Sequence, residues 1–137
     1  MLSTVEKVLF LKSIELFSQI PSDDLAQVAL ISAEEAREGG EEIFAEGDSG
    51  DALYLVLDGR VRIHIVDRLI AELGERECFG EMAILDAAAR SASATALGDC
   101  RLLKISREDF QEIMSEKPEI AMGIIKVLSR RLRTAIR

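Results

Sequence analysis

The sequence predicts a mainly β fold flanked by α-helices, and three observations carry that reading. Apolar residues in the middle of the chain recur at a period near two, the spacing of half-buried strands. Turn-forming residues interrupt that stretch at short intervals. Both ends instead show helix-starting signals followed by apolar residues at helical spacing. Six to eight short strands between helices predict a small barrel or jelly roll.

The elements follow in chain order. Ser3 and Glu6 fit a capping box, and Val5, Val8 and Leu9 then recur as one helix face. Pro21 and Ser22 restart the chain, and Leu25, Val28 and Ala29 mark a second helix. From Glu34 to Asp51 there are eight acids and one base, with four glycines, so this stretch reads as turns around one short strand near Ile43–Phe44. Leu53 to Leu57 is a buried strand by composition, and Asp58-Gly59 is a hairpin-type turn dipeptide. Val61, Ile63 and Ile65 alternate with Arg62 and His64, which places His64 on an exposed polar face. Leu69 to Leu73 pairs back after a tight connection at Asp67-Arg68, and Cys100 to Ile105 is another strand. Ser106 with Asp109 gives a weaker capping pattern ahead of Phe110, Ile113 and Met114. Pro118 opens a final helix, whose apolar stripe reads Ala121, Ile124, Ile125, Leu128, Leu132 and Ile136.

The totals exclude several classes. The chain has 137 residues, with 48% hydrophobic and 31% charged, enough for one domain with its own core. Six aromatics and no Trp predict an aliphatic core. A net charge of −8 argues against a general affinity for nucleic acid or anionic lipid. No apolar run is long enough to span a membrane, and the first residues do not resemble a secretory signal. Cys78 and Cys100 make neither a metal-type spacing nor a disulfide framework and read as small core residues in a reducing cytoplasm.

One segment carries chemistry. In FGEMAILDAAARSASATA, residues Phe79 to Ala96, Glu81 follows a glycine and Arg90 precedes six small residues. A helical turn over Met82 to Leu85 would offer free N–H groups and a partial positive charge to an anion. Arg90 would add a full charge in a fork suited to two phosphate oxygens, and Ser91 and Ala92 would let the backbone approach. Glu81 beside a phosphate makes sense only as an acceptor for a hydroxyl of the same ligand, which a sugar phosphate supplies. On spacing alone, a Glu and an Arg nine positions apart are more often a surface salt bridge.

This segment resembles the phosphate-binding cassette of cyclic nucleotide-binding domains. Phe79-Gly80-Glu81-Met82-Ala83 and Arg90-Ser91-Ala92-Ser93 match it position by position. Upstream, the stretch from Ile43 to Tyr54, with Gly47-Asp48-Ser49-Gly50-Asp51, is similar to the Gly-Asp signature that precedes the cassette, and Gly59 matches the next turn glycine. The resemblance implies an eight-stranded β-roll, a double-stranded β-helix, with N-terminal helices and C-terminal lid helices. Applied to the chain, it implies one domain over 1–137: helices in 1–36, the β-roll in 37–105 with its cassette in 79–93, and helices in 106–137. Glu81 is then expected to hold a ribose 2′-hydroxyl and Arg90 the cyclic phosphate, with amides around Gly80, Met82, Ala83, Ser91 and Ala92 completing a cradle, and with Phe79 among the ligand-binding residues. Ala89 departs from the family, where proline commonly precedes the arginine. Ser91, directly after the arginine, favours cAMP over cGMP.

From Lys126 to Arg137 there are five bases and no acids. One reading is a solvated helix end favoured by its own dipole. The other, implied by the resemblance, is a lid from which Arg130, Arg131 or Thr134 touches the base. The resulting expectation is a cytoplasmic sensor of a cyclic nucleotide that moves its C-terminal helices on binding. No catalysis, enzyme cofactor, metal or direct nucleic-acid contact is expected, and no output partner can be named. It would be a free-standing domain or a piece of a larger protein. Two alternatives stand beside it: the same fold as a protein-interaction module without ligand, and a cupin-type enzyme, which a single histidine supports poorly.

Overall fold

A computed structural model of the chain describes residues 1–81, 85 and 88–136. The chain divides into two compact units, one formed by Met1–Ile31 with the segment from Asp109 onward, the other by Ser32–Glu108.

The second unit contains two four-stranded antiparallel sheets built from β1 (Ser32–Arg37), β2 (Glu42–Phe44), β3 (Ala52–Asp58), β4 (Val61–Ile65), β5 (Arg68–Leu73), β6 (Cys78–Phe79), β7 (Ser93–Ala96) and β8 (Cys100–Ser106). One sheet has the order β1-β8-β3-β6 and the other β2-β7-β4-β5. Alternation dictates which side chains meet between them. Tyr54, Val56 and Leu102 from the first sheet pack with Val61, Ala94 and Ala96 from the second, and Phe44, Ile63 and Leu73 join at the margin. This is the eight-stranded roll that the cassette resemblance implied.

Three readings of the sequence need correction here. The acidic stretch begins inside a strand, β1, paired along its whole length with β8 from Ser32↔Ile105 to Arg37↔Cys100. Its carboxylates are poor strand formers in isolation, but they pair with bases, Glu35 with Arg37 at 2.8 Å and with Lys104 at 3.8 Å. Asp58-Gly59 does not close a hairpin between β3 and β4, because those strands lie in different sheets. Gly59, with φ +93, passes so close to Cys100 that an added Cβ would meet its Cβ at 2.6 Å. Aromatics also dominate one part of the interior: Tyr54 stacks on Phe79 with centroids 5.3 Å apart, and Phe44 lies about equally far from both.

The first unit is helical: α1 (Thr4–Lys12), a short 3-10 turn (Glu15–Phe17), α2 (Ser22–Ile31), α3 (Arg107–Glu116, which begins at the end of the β unit) and α4 (Pro118–Ile136). The capping box forms as expected, but Val5 and Leu9 are exposed and α1 buries Leu11 instead. In α2, Leu25, Val28 and Ala29 are buried as expected. Helix α4 also differs: Ile120, Gly123, Ile124 and Val127 are buried, while Ile125, Leu132 and Ile136 are exposed. Gly123 sets that face, since a Cβ there would lie 2.9 Å from the carbonyl oxygen of Gln19. Among the described residues, no helix is long and apolar enough to cross a membrane.

Candidate ligand-binding site

Arg90 organises the site. Its backbone is clipped to the glycine-rich loop between β2 and β3: its N–H donates to the Asp48 carbonyl at 2.7 Å, and its carbonyl accepts from Gly47 N–H at 2.8 Å. The loop is braced in turn, because the Asp48 carboxylate accepts from Ala45 N–H and the Ser93 hydroxyl accepts from Glu46 N–H, both at 2.9 Å. The two sequence motifs, some 40 residues apart, therefore act as one structure. The acids and glycines of the upstream motif shape the ledge on which the arginine stands.

The side chain is nine-tenths buried. Nη2 donates to the Ala52 carbonyl at 2.6 Å and Nη1 to the Gly80 carbonyl at 3.3 Å. Nε is buried and has no partner. Among the described residues, no carboxylate pairs with this guanidinium. Burial pulls the Arg90 pKa down, opposed by the carboxylates of Asp51 and Asp48. An arginine keeps its proton even so, and a buried cation without a counter-ion is costly to fold. Two of its five N–H groups are used and three remain, Nε–H among them. The group is arranged to receive an anion on its free edge.

A cavity of about 380 Å³ adjoins it, a volume suited to a small molecule. Its wall includes Phe79, Gly80, Glu81, Arg90, Ser91 and Ala92, so the expected acid, base and small residues come together. Phe44, Ile63, Leu73 and Cys78 add an apolar side that the sequence reading missed. Of these, only Ile63 carried a signal in the sequence, its place in the strand alternation. Cys78 is half-buried on this wall, whereas Cys100 is a buried core residue, and burial raises the Cys100 thiol pKa. The expected helical turn and the amides of Met82 and Ala83 lie outside the described residues.

The remaining candidates lie elsewhere. Arg131 Nε donates to Glu15 at 2.8 Å, Arg130 reaches the Gln19 side chain at 3.5 Å, and the Thr134 hydroxyl donates to the Arg130 carbonyl. All three border a second cavity of about 470 Å³ within the helical unit. His64 is half-buried rather than exposed: Nδ1 lies 2.7 Å from the Val66 carbonyl and Nε2 lies 2.8 Å from the Thr95 hydroxyl. Among the described residues, no cluster of His, Cys, Asp and Glu could hold a metal ion.

A family model of the cyclic nucleotide-binding domain matches residues 34–117, more than half of the chain. The chain belongs to that family. The cyclic AMP receptor protein of Thermus thermophilus is 46% identical over 101 residues, covering 70% of this chain and 47% of that protein. The chain thus spans about half the length of this curated relative. Among solved structures, the N-terminal domain of a transcriptional regulator from Streptomyces coelicolor superposes with TM-score 0.84 at 30% identity, over 92% of this chain and 94% of that one. The regulatory domain of Toxoplasma gondii PKA, solved with cAMP, superposes with TM-score 0.74 at 30% identity, over 80% and 44%. This cyclic nucleotide-binding domain is regulatory in type, and the cavity on its β-roll is lined by described residues of the cassette and by Phe44, Ile63 and Leu73 of the strands.

Proposed function

We propose that the domain binds cAMP and transmits that binding through its C-terminal helices. The observation that carries this reading is Arg90: nine-tenths buried, unpaired among the described residues, and facing a cavity whose wall also holds Glu81. The free N–H edge takes two oxygens of the cyclic phosphate and neutralises the buried charge. Glu81 accepts the ribose 2′-hydroxyl, while Ser91 and Ala92 let the backbone approach the phosphate. Phe79 and the apolar wall of Ile63 and Leu73 flank the sugar and base. Two named relatives support cAMP in particular: a cyclic AMP receptor protein and a regulatory domain solved with cAMP. Met82 and Ala83 amides complete the cradle, and α4 closes over the base with Arg130, Arg131 or Thr134, biasing a two-state packing equilibrium. An output protein or domain reads that movement.

Calorimetric titration with cAMP and cGMP tests the reading. Wild-type protein binds cAMP more tightly than cGMP and melts at a higher temperature with it. Arg90→Leu removes the counter-charge and weakens binding by roughly 3–5 kcal/mol. A loss smaller than tenfold, or no heat from wild type at millimolar nucleotide, overturns it.

A further inference from the structure

We propose that Phe44 is a positioning residue for the nucleotide: the face of its ring fixes the plane of the Arg90 guanidinium and thereby aims the free N–H edge at the phosphate. The inference rests on the cavity being the nucleotide site. Arg90 Cζ lies 4.1 Å from the Phe44 ring centroid, well inside the distance at which a cation is attracted to an aromatic face. The bonds to Ala52 and Gly80 each hold one Nη of the guanidinium. The Phe44 ring adds a contact at Cζ that those two bonds do not supply.

The ring is itself held. Its centroid is 6.0 Å from Tyr54 and 5.9 Å from Phe79, and those two stack with an interplanar angle of 12°. Phe44 is also the last residue of β2, directly before the loop whose Gly47 and Asp48 bond the Arg90 backbone. One short segment therefore clamps the arginine twice, by its main chain and by its charge. A leucine at this position would fill part of the volume but offer no negative face, and the burial of Arg90 makes that difference matter.

The test separates charge attraction from volume. Phe44 is replaced by phenylalanine analogues with one, two and three ring fluorines, which weaken the negative face while changing size little. Each protein is titrated with cAMP by calorimetry and melted without ligand. The dissociation constant rises stepwise with fluorine number, by roughly threefold to thirtyfold over the series; the contact exists without ligand, so the melting temperature also falls, by a few degrees at most. Phe44→Tyr binds within about threefold of wild type, and Phe44→Leu falls at or beyond the weakest fluorinated protein. A flat series in a wild type that binds normally overturns the role of Phe44 alone. So does an affinity no better in Phe44→Tyr than in Phe44→Leu. A wild type that binds no cyclic nucleotide overturns the pocket reading and this inference with it.

Discussion

The Cβ that Gly80 lacks would lie 2.5 Å from Nη1 of Arg90, so the absent side chain and the guanidinium compete for one space. The same Cβ would stand 3.1 Å from the Ala52 carbonyl oxygen, the other anchor of the arginine. Gly80 also has φ +75, a conformation that side chains resist.

Gly80→Ala therefore has two separable consequences. Backbone strain lowers stability by about 1–2 kcal/mol. The arginine tip, being the end of a flexible chain, moves out of the way and abandons its aim. The expected result is a drop of a few degrees in melting temperature together with a loss of cAMP affinity larger than tenfold. Calorimetry and a thermal melt of the same sample read both. An unchanged dissociation constant would mean that Arg90 does not need its present place to bind.

How much of this was legible in the sequence depends on whether the cause was local. The capping box at Ser3, the proline at 118 and the period-two run from Val61 are local patterns, and each element formed where its residues directed. The acid and base of the candidate site, Glu81 and Arg90, were reached through the resemblance of their segment to a known cassette, because their spacing alone also fits a surface salt bridge. Phe44 was not readable as a site residue. Its role comes from the pairing of β2 with β7, which brings it to an arginine 46 positions later in the chain. Strand β1 was hidden for a similar reason: its acids are matched by Arg101 and Lys104 across the ladder and by Arg37 on the strand itself. The buried face of α4 was misread because Gly123, the weakest helix former in that stretch apart from Pro118, is what allows close approach.

That glycine gives a prediction in which two effects oppose. Alanine in a helix interior is favoured over glycine by about 1 kcal/mol. The added Cβ at residue 123 would meet Ile20 Cγ1 at 2.8 Å and the carbonyl oxygen of Gln19 at 2.9 Å. The first could rotate away, but the second is main chain and can yield only by shifting the segment. Overpacking of this kind costs roughly 1–3 kcal/mol, so the clash outweighs the propensity. Gly123→Ala should lower the denaturant midpoint, and a rise would show that the Gln19–Ile20 segment gives way freely.

The N-terminal cap supplies a pH dependence. Ser3 N–H donates to Glu6 Oε1 at 3.0 Å, and Glu6 N–H donates to the Ser3 hydroxyl at 3.1 Å. The backbone bond from Ser3 is the largest reason that the Glu6 carboxyl falls below its ordinary value of 4.5; the Ser3 side chain acts second. A carboxyl whose pKa is lower in the folded state binds its proton more readily when unfolded. Its contribution is therefore complete above about pH 4.5 and disappears as pH falls through the folded value. Glu6→Gln can still accept the Ser3 bond but cannot titrate. The variant should melt slightly below wild type at pH 7, and the two melting curves should converge as pH is lowered toward 3. Curves that stay equally far apart from pH 7 to pH 3 would show that the Glu6 charge contributes nothing to holding the first turn of α1.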